Sequence, residues 1–466
     1  MTLEMNAVSK LLMLEFNELT PRLMNRFMSE GILPNFQRLH DCSRVHLTTT
    51  SEERLEPWIQ WVTVHSGVTA DQHGIFRLNE GSTLDRPMIW DAVSNSGANV
   101  WLCGPMNVND CEGIRGVVLP DPWSTIVRPQ PIDLMPLHNF ITKQVQEHTM
   151  STSSLRTHEI FEFLWFIVRH GLRATTVVRI LIQLLQEKTR KEDQKWKRAT
   201  ILDSMLWDVF EYIFGKTEPQ YSCFFSNSTA HYQHKYWRHF EPEKFSFHAD
   251  ATQQTNYGDA IRFGYRNMDR IVGRALDLAD NDTIIVLCTA LSQQPLLKYE
   301  EIGGKKVWRP KSFRNLLDFA GVSGSYRVSP VMAEQSFVYF ETDEAAAFAK
   351  SKIDSITSGG ETVMSCKQSG ESLFVTCRLI GDIPMDALVT CVSSNQEYEF
   401  SELFCSVGTP NSGMHHPEGI FWIRFPDGEH KIVDKPLPLT EIAPLLAKCL
   451  GVDFDPASSL SAGVPR

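Results

Sequence analysis

The sequence predicts an α/β protein built on a mainly parallel sheet, with two insertions, and three observations lead there. Strand and helix signals alternate through the first hundred residues. The alternation resumes after residue 217. Between the two lies a block of about sixty residues that reads almost wholly as helix. The first element, KLLMLEF (10–16), is a near-continuous apolar run of strand length. TPRLMNRFMSEG (20–31) is a helix with Thr20 at its cap, Pro21 at its first position and Gly31 beyond its end. SRVHLTTT (43–50) is the next strand and PWIQWVTVHSG (57–67) the next helix. IWDAVSNSG and ANVWLCG then give one more helix and strand. From Leu155 to Phe214 helical periodicity dominates. QYSCFF, a long helix across TNYGDAIRFGYRNMDRIVGRALDLAD and the strand TIIVLCTA restore the rhythm, and SFVYFE and AAAFAKSKIDSI suggest a small unit further on.

These signals divide the 466 residues into a core (1–150, 217–330 and 401–455), a helical insertion at 151–216 that would cap the sheet's active edge, and a small α/β insertion at 331–400. Hydrophobic residues at 42% and charged residues at 22% are ordinary for a globular chain. The net charge of −11 argues against a nucleic-acid binder, although a local pocket can still accept an anionic small molecule. The ten cysteines are scattered without a Cys-x-x-Cys pair, which fits reduced thiols. MTLEMNAVSKLLMLEF lacks the pattern of a secretory signal. The longest apolar run of the most hydrophobic region, FLWFIV (163–168), is far short of a membrane span, so a cytoplasmic protein is expected. The basic run QEKTRKEDQKWKR (186–198), with Trp196 and FLWFIV, allows peripheral contact of 155–198 with an anionic membrane. Its interspersed acids favour a solvated face between packed helices. The last ten residues, rich in Ser, Pro and Gly, read as loose.

One stretch raises the question of chemistry. NSTAHYQHKYWRH (227–239) holds His231, His234 and His239 within nine positions. A helix beginning at Thr229 places His231 and His234 three residues apart on one face. That spacing suits a metal ion, and equally a helix that merely packs.

Five stretches in order, LPNFQRLHD, WVTVHSGVTADQHGIF, QHKYW, SGMHHPEGIFWI and PLPLTEIAPLLAKCLGV, resemble the alkaline phosphatase superfamily, nearest its type I phosphodiesterase/nucleotide pyrophosphatase branch. The resemblance spans most of the chain outside the helical block and part of 331–400. It implies a central sheet between helices, two divalent metals at the strand ends and a Thr or Ser nucleophile. Position by position the chain departs from that pattern. Asn17 stands at the first metal-binding aspartate, Glu56-Pro57 at the nucleophile, and Ala290 and Leu291 at an Asp-His pair. The Asp-x-x-x-His pair falls on Ala230 and His234, and the late histidine of Gly-x-His-x-Pro falls on His415.

The resemblance therefore leaves room for one zinc or manganese on His231, His234 and His415, or for no metal at all. Glu15 and Glu56 are candidates for a general base, or alternatively for helix capping and ion pairing. Asn17, Asn227, Ser292 and Gln293, with Gln294 and the aromatic Trp58, Trp61 and Trp237, offer a neutral lining for a sugar or other polyol. The tryptophans serve as readily in a core. Two functions stay open. One is a divergent hydrolase or transferase acting on a phosphate or related ester. The other is a non-catalytic binding protein for a sugar or other polar ligand. Either would take a small-molecule, glycan or phosphoester ligand, and a homo-oligomer is possible.

Overall fold

In KLLMLEF the residues Leu11, Met13 and Glu15 face one side of the strand and Leu12, Leu14 and Phe16 the other, and all six are buried. A strand apolar on both faces needs helices above and below it, which makes it the middle of a covered, largely parallel sheet. The computed structural model, which describes residues 10–110, 113–124, 126–147, 156–331, 335–407 and 411–459, has this architecture. Residues 1–9, Cys111 and the tail from 460 lie outside the described residues.

The strands β1 (Lys10–Phe16), β2 (Arg44–Thr49), β3 (Val100–Cys103), β4 (Gly116–Leu119), β5 (Tyr221–Ser226) and β6 (Thr283–Cys288) join two late strands in one eight-stranded sheet. Its order is Lys431–Pro438, β2, Gly419–Arg424, β6, β1, β5, β3, β4. Only Gly419–Arg424 runs antiparallel to its neighbours. β1 pairs in parallel with β5 up to Phe16↔Ser226 and with β6 up to Glu15↔Cys288, so three strands end level with one another. In open α/β sheets that edge is where ligands bind.

One face of the sheet is covered by the helices Pro57–Ser66, Ile89–Asn95 and Ile442–Leu450. The other carries Pro21–Ser29, Pro34–His40, Arg198–Thr217, Ser228–Phe240 and Ala260–Leu278. Trp61, Trp90, Trp101, Trp207 and Trp237 are all fully buried in these layers. Each removes roughly 200 Å² from water, on the order of 5 kcal/mol of gross burial as an upper bound.

The expected strands and helices of the first hundred residues are present, and three details differ. Pro34–His40, read only as a motif, is a helix. The single long helix after residue 254 is two, Ala251–Tyr257 and Ala260–Leu278, parted at Gly258 and Asp259. The small unit has its own apolar core from Trp308 to Phe404, so it begins before residue 331, because the strand Trp308–Pro310 pairs with Phe404–Ser406. Two four-stranded sheets and the helices Phe313–Ala320 and Asp343–Ile353 complete it. The block expected as a helical insertion forms Thr157–Arg169, Ala174–Thr189 and Arg198–Thr217. Trp207 and Phe210 of its last helix pack against Phe224 of β5, and Asp203 accepts from Ser226 and Ser228 at the end of that strand.

Candidate metal centre

After β1 the chain turns through Asn17 and Glu18, held by both neighbouring strands. The Asn17 N–H donates to Ser226 O (3.0 Å) and the Glu18 N–H to Thr289 O (3.2 Å). Gln233 Nε2 donates to the Glu18 carbonyl at 2.7 Å. Glu18 has φ +61°, the left-handed region. A residue with a Cβ is disfavoured there by about 1 kcal/mol or more, so these backbone bonds do the holding.

The Glu18 carboxylate is buried and faces two imidazoles. Its Oε2 lies 3.2 Å from His234 Nε2, and its Oε1 lies 3.6 Å from His415 Nε2. Asn17 Nδ2 donates to Oε1 at 2.9 Å, and Gln293 Nε2 donates to Oε2. Among the described residues, Glu18, His234 and His415 are the one group of three or more His, Cys, Asp or Glu whose ligand atoms gather within 4.8 Å.

The far side of each ring is fixed by backbone. His415 Nδ1 meets the Leu55 carbonyl at 2.5 Å, and His234 Nδ1 meets the Gly413 carbonyl at 3.2 Å. A carbonyl only accepts, so each Nδ1 carries a hydrogen and each Nε2 is directed at the centre, protonated against Glu18 in the charged ring and open to a metal in the neutral one. Metal-ligating histidines are oriented in this way by their second nitrogen. Two imidazole nitrogens and one carboxylate oxygen are also a donor set that zinc and manganese accept. The side chains present therefore fit one divalent ion.

Burial alone would raise the Glu18 pKa. Charge on His415 and His234, with hydrogen bonds from His234 and Gln293, instead holds it down at about 2. Burial also pulls the His415 pKa down. Glu56 precedes the Pro57–Ser66 helix, its Oε2 3.8 Å from His415 Nδ1. Burial, reinforced by the nearby charge of Glu18, pushes its carboxyl up to about 7.

His415 lies on the strand Gly413–His416, which pairs antiparallel with β7 (Ser292–Pro295) and sets His415 opposite Gln293. Gly413 is required there by close approach. A Cβ would meet Gln233 O at 2.5 Å and Gln293 Oε1 at 2.6 Å.

The structure thus brings together His234, His415, Glu56, Asn17, Asn227 and Gln293 of the residues expected from sequence. Asn17 Nδ2 bridges to Asn227 Oδ1 at 2.8 Å, and Trp61 Nε1 donates to Asn17 Oδ1 at 2.8 Å. Ser292 is buried on β7 beside Gln293. Two expected residues stand elsewhere. His231 is exposed and outside the cluster of ligand atoms, although it precedes His234 by three residues on the same helix. Glu15 points into the core below the edge, its Oε1 2.9 Å from His65 Nε2. The carboxylate of the centre is Glu18, one residue beyond the position the family pattern singles out. Its signal was an acid directly after Asn17 at a strand end. Ala290 and Leu291 are fully buried, while Trp58 and Trp237 belong to the core.

Fold and centre define a mixed α/β protein with two histidines and a carboxylate at the carboxyl ends of its central strands. No family model matches the chain, and no curated protein matches it either. Among solved structures it is similar to the phosphonoacetate hydrolase from Sinorhizobium meliloti 1021 in complex with phosphonoformate, at TM-score 0.42 and 11% identity over 95% of this chain and 96% of that one. It is similar to the alkaline phosphatase PafA at TM-score 0.45 and 12% identity, over 97% and 98%. It is also similar to the murine ectonucleotide pyrophosphatase/phosphodiesterase 5, at TM-score 0.39 and 9% identity over 97% and 98%. All three are alkaline phosphatase superfamily members. No helix among the described residues is long and apolar enough to cross a membrane.

Proposed function

We propose that the chain binds one divalent metal through Glu18, His234 and His415 and acts as a hydrolase or transferase on a phosphate or related ester. The observation that carries this reading is the convergence of the three ligand atoms, with both Nδ1 atoms already engaged by carbonyls. The ester class rests on the ordered motifs that resemble the alkaline phosphatase superfamily.

When bound, a divalent ion supplies Lewis-acid polarisation of a phosphoryl oxygen. The chain's own residues do the rest. Leu55 and Gly413 hold the two rings in one tautomer, and Asn17 and Gln293 fix the Glu18 carboxylate between them. Pro57 has no side-chain nucleophile, so the attacking oxygen comes from water or an acceptor hydroxyl. Glu56, beside His415, takes up its proton, while the phosphorus–oxygen bond to the ester alcohol breaks and that alcohol leaves with a proton from solvent.

A second reading, a binding protein for a sugar or other polar ligand, is favoured by Ala290 and Leu291 where a metal pair would stand and by the amides of Asn17, Asn227 and Gln293. Metal analysis of unchelated protein, followed by a screen of phosphate, phosphonate and sulfate esters, decides between them. About one zinc or manganese per chain with metal-dependent turnover supports the enzyme. Absence of stoichiometric metal and of turnover, with saturable sugar binding, overturns it.

A further inference from the structure

The helix Ala174–Thr189 is turned inside out. The side chains it buries are Thr176 and Gln183. Gln183 Nε2 donates to Gln194 O at 2.6 Å. Beside them Arg179 reaches inward to Ser204 Oγ at 2.7 Å and Asn267 Oδ1 at 3.0 Å. What it shows to solvent is Val177, Val178, Leu181, Ile182, Leu184 and Leu185, with Leu181 60% and Leu185 61% exposed. A helix of a water-soluble surface has the opposite distribution. The preceding helix, Thr157–Arg169, has two apolar sides. Phe163, Phe166 and Ile167 pack inward, whereas Phe161, Leu164, Trp165 and Val168 face out with Trp165 63% exposed. Ten large apolar side chains exposed on two consecutive helices exceed the scatter of a normal surface, so these outward faces have an occupant.

Charge says which. Between 156 and 198 the exposed ionic side chains are eight bases (Arg156, Arg169, Arg173, Lys188, Arg190, Lys191, Lys195, Arg198) and two acids (Glu162, Glu192). The chain as a whole carries −11. The Arg169 guanidinium lies 4.4 Å from the centroid of Trp165, pairing a base with the ring type that settles at lipid headgroups. A second copy docked face to face would bring the same basic rims together, which is repulsive. No helix among the described residues is both long and apolar enough to cross, and the geometry is that of helices lying along a surface.

We propose that the outward faces of Thr157–Arg169 and Ala174–Thr189 dock the protein on an anionic lipid bilayer. The rest of the chain's negative charge does not prevent this, since fields decay within about 8 Å at physiological salt. The inference is independent of the metal centre.

The test is co-sedimentation of the full chain with vesicles of phosphatidylcholine alone or with about 30% phosphatidylglycerol, alongside light scattering of the free protein. Binding is expected to the anionic vesicles and to fall at high salt. Leu181→Gln/Leu185→Gln should weaken it by about tenfold or more, with unchanged circular dichroism. Arg190→Gln/Lys191→Gln/Lys195→Gln should weaken it only on anionic vesicles. Failure to bind phosphatidylglycerol vesicles overturns the proposal. So does a dimer in solution that the leucine variant converts to monomer, since a second copy then covers the face.

Discussion

Replacing Glu18 by glutamine tests the centre most directly. The drop of its pKa from 4.5 to about 2 corresponds to about 3 kcal/mol of preference for the ionised form, at about 1.4 kcal/mol per tenfold. Because the folded pKa is depressed, that stability is fully present above 4.5 and is lost as pH falls through 2. In Glu18→Gln it is absent, and the new amide must turn its N–H group toward one of two donors, Asn17 Nδ2 or Gln293 Nε2. Metal-free Glu18→Gln should therefore be less stable than wild type in urea where the two imidazoles are charged, with the gap narrowing as pH falls below 4.5. Loss of a charged ligand should also weaken zinc binding by about 100-fold or more, measured by chelator competition. His231→Ala should bind zinc as wild type does, since His231 lies outside the cluster. Release of the metal by His231→Ala with retention by Glu18→Gln would refute Glu18 as a ligand.

The remaining expectations concern the neighbours of that centre and the seat of the helical insertion. Glu56 has its folded pKa raised to about 7, so ionising it costs stability progressively as pH rises from 4.5 to 7. Glu56→Gln should melt higher than wild type at pH 8 and alike at pH 4, by a margin that solvent screening of this partly exposed side chain keeps small. Gly413→Ala should weaken zinc binding without removing a ligand, because the new methyl pushes the His415 strand off Gln233; equal affinity by calorimetry would refute this. Arg274 spans Asp208 (2.7 Å) and Glu211 (2.6 Å), fastening Arg198–Thr217 to Ala260–Leu278. Arg274→Met leaves the fully buried Asp208 carboxylate without that partner and should cost about 3–5 kcal/mol in denaturant titration.

Much of this was legible in the sequence, for identifiable reasons. KLLMLEF and TIIVLC announce central strands because a strand covered on both faces has no polar alternation. Thr20 and Pro21 mark a helix start, although the Thr20 hydroxyl donates to Gln293 O at 2.9 Å rather than capping the helix. His234 and His415 were found because ordered motifs survive where geometry is kept. Glu18 was not, because its place depends on a left-handed turn that shifts the ligand by one residue, and side-chain identity at Asn17 cannot disclose a backbone angle. Glu15 was misplaced for a simpler reason. It shares a strand face with Leu11 and Met13, which point into the core. The inverted helix at 174–189 was hidden by composition, since a polar inner face and an apolar outer face have the same periodicity as the reverse.

The ribbon of β7 and Gly413–His416 has a consequence for how this chain can vary. Pro295 stands opposite Gly413, and the Leu296 N–H still reaches Ser412 O at 2.9 Å, so the two strands leave the centre as a zipped hairpin. The entire small unit, with its own apolar core from Trp308 to Phe404, hangs from that hairpin in the position of a turn. Gln293 and His415 face Glu18 because the ladder between them is in register, whatever lies beyond its open end. The unit also rests on the main core through Val331, Phe337 and Phe374, so it is the parts away from this seat and from the hairpin whose changes would leave the residues around Glu18 in place.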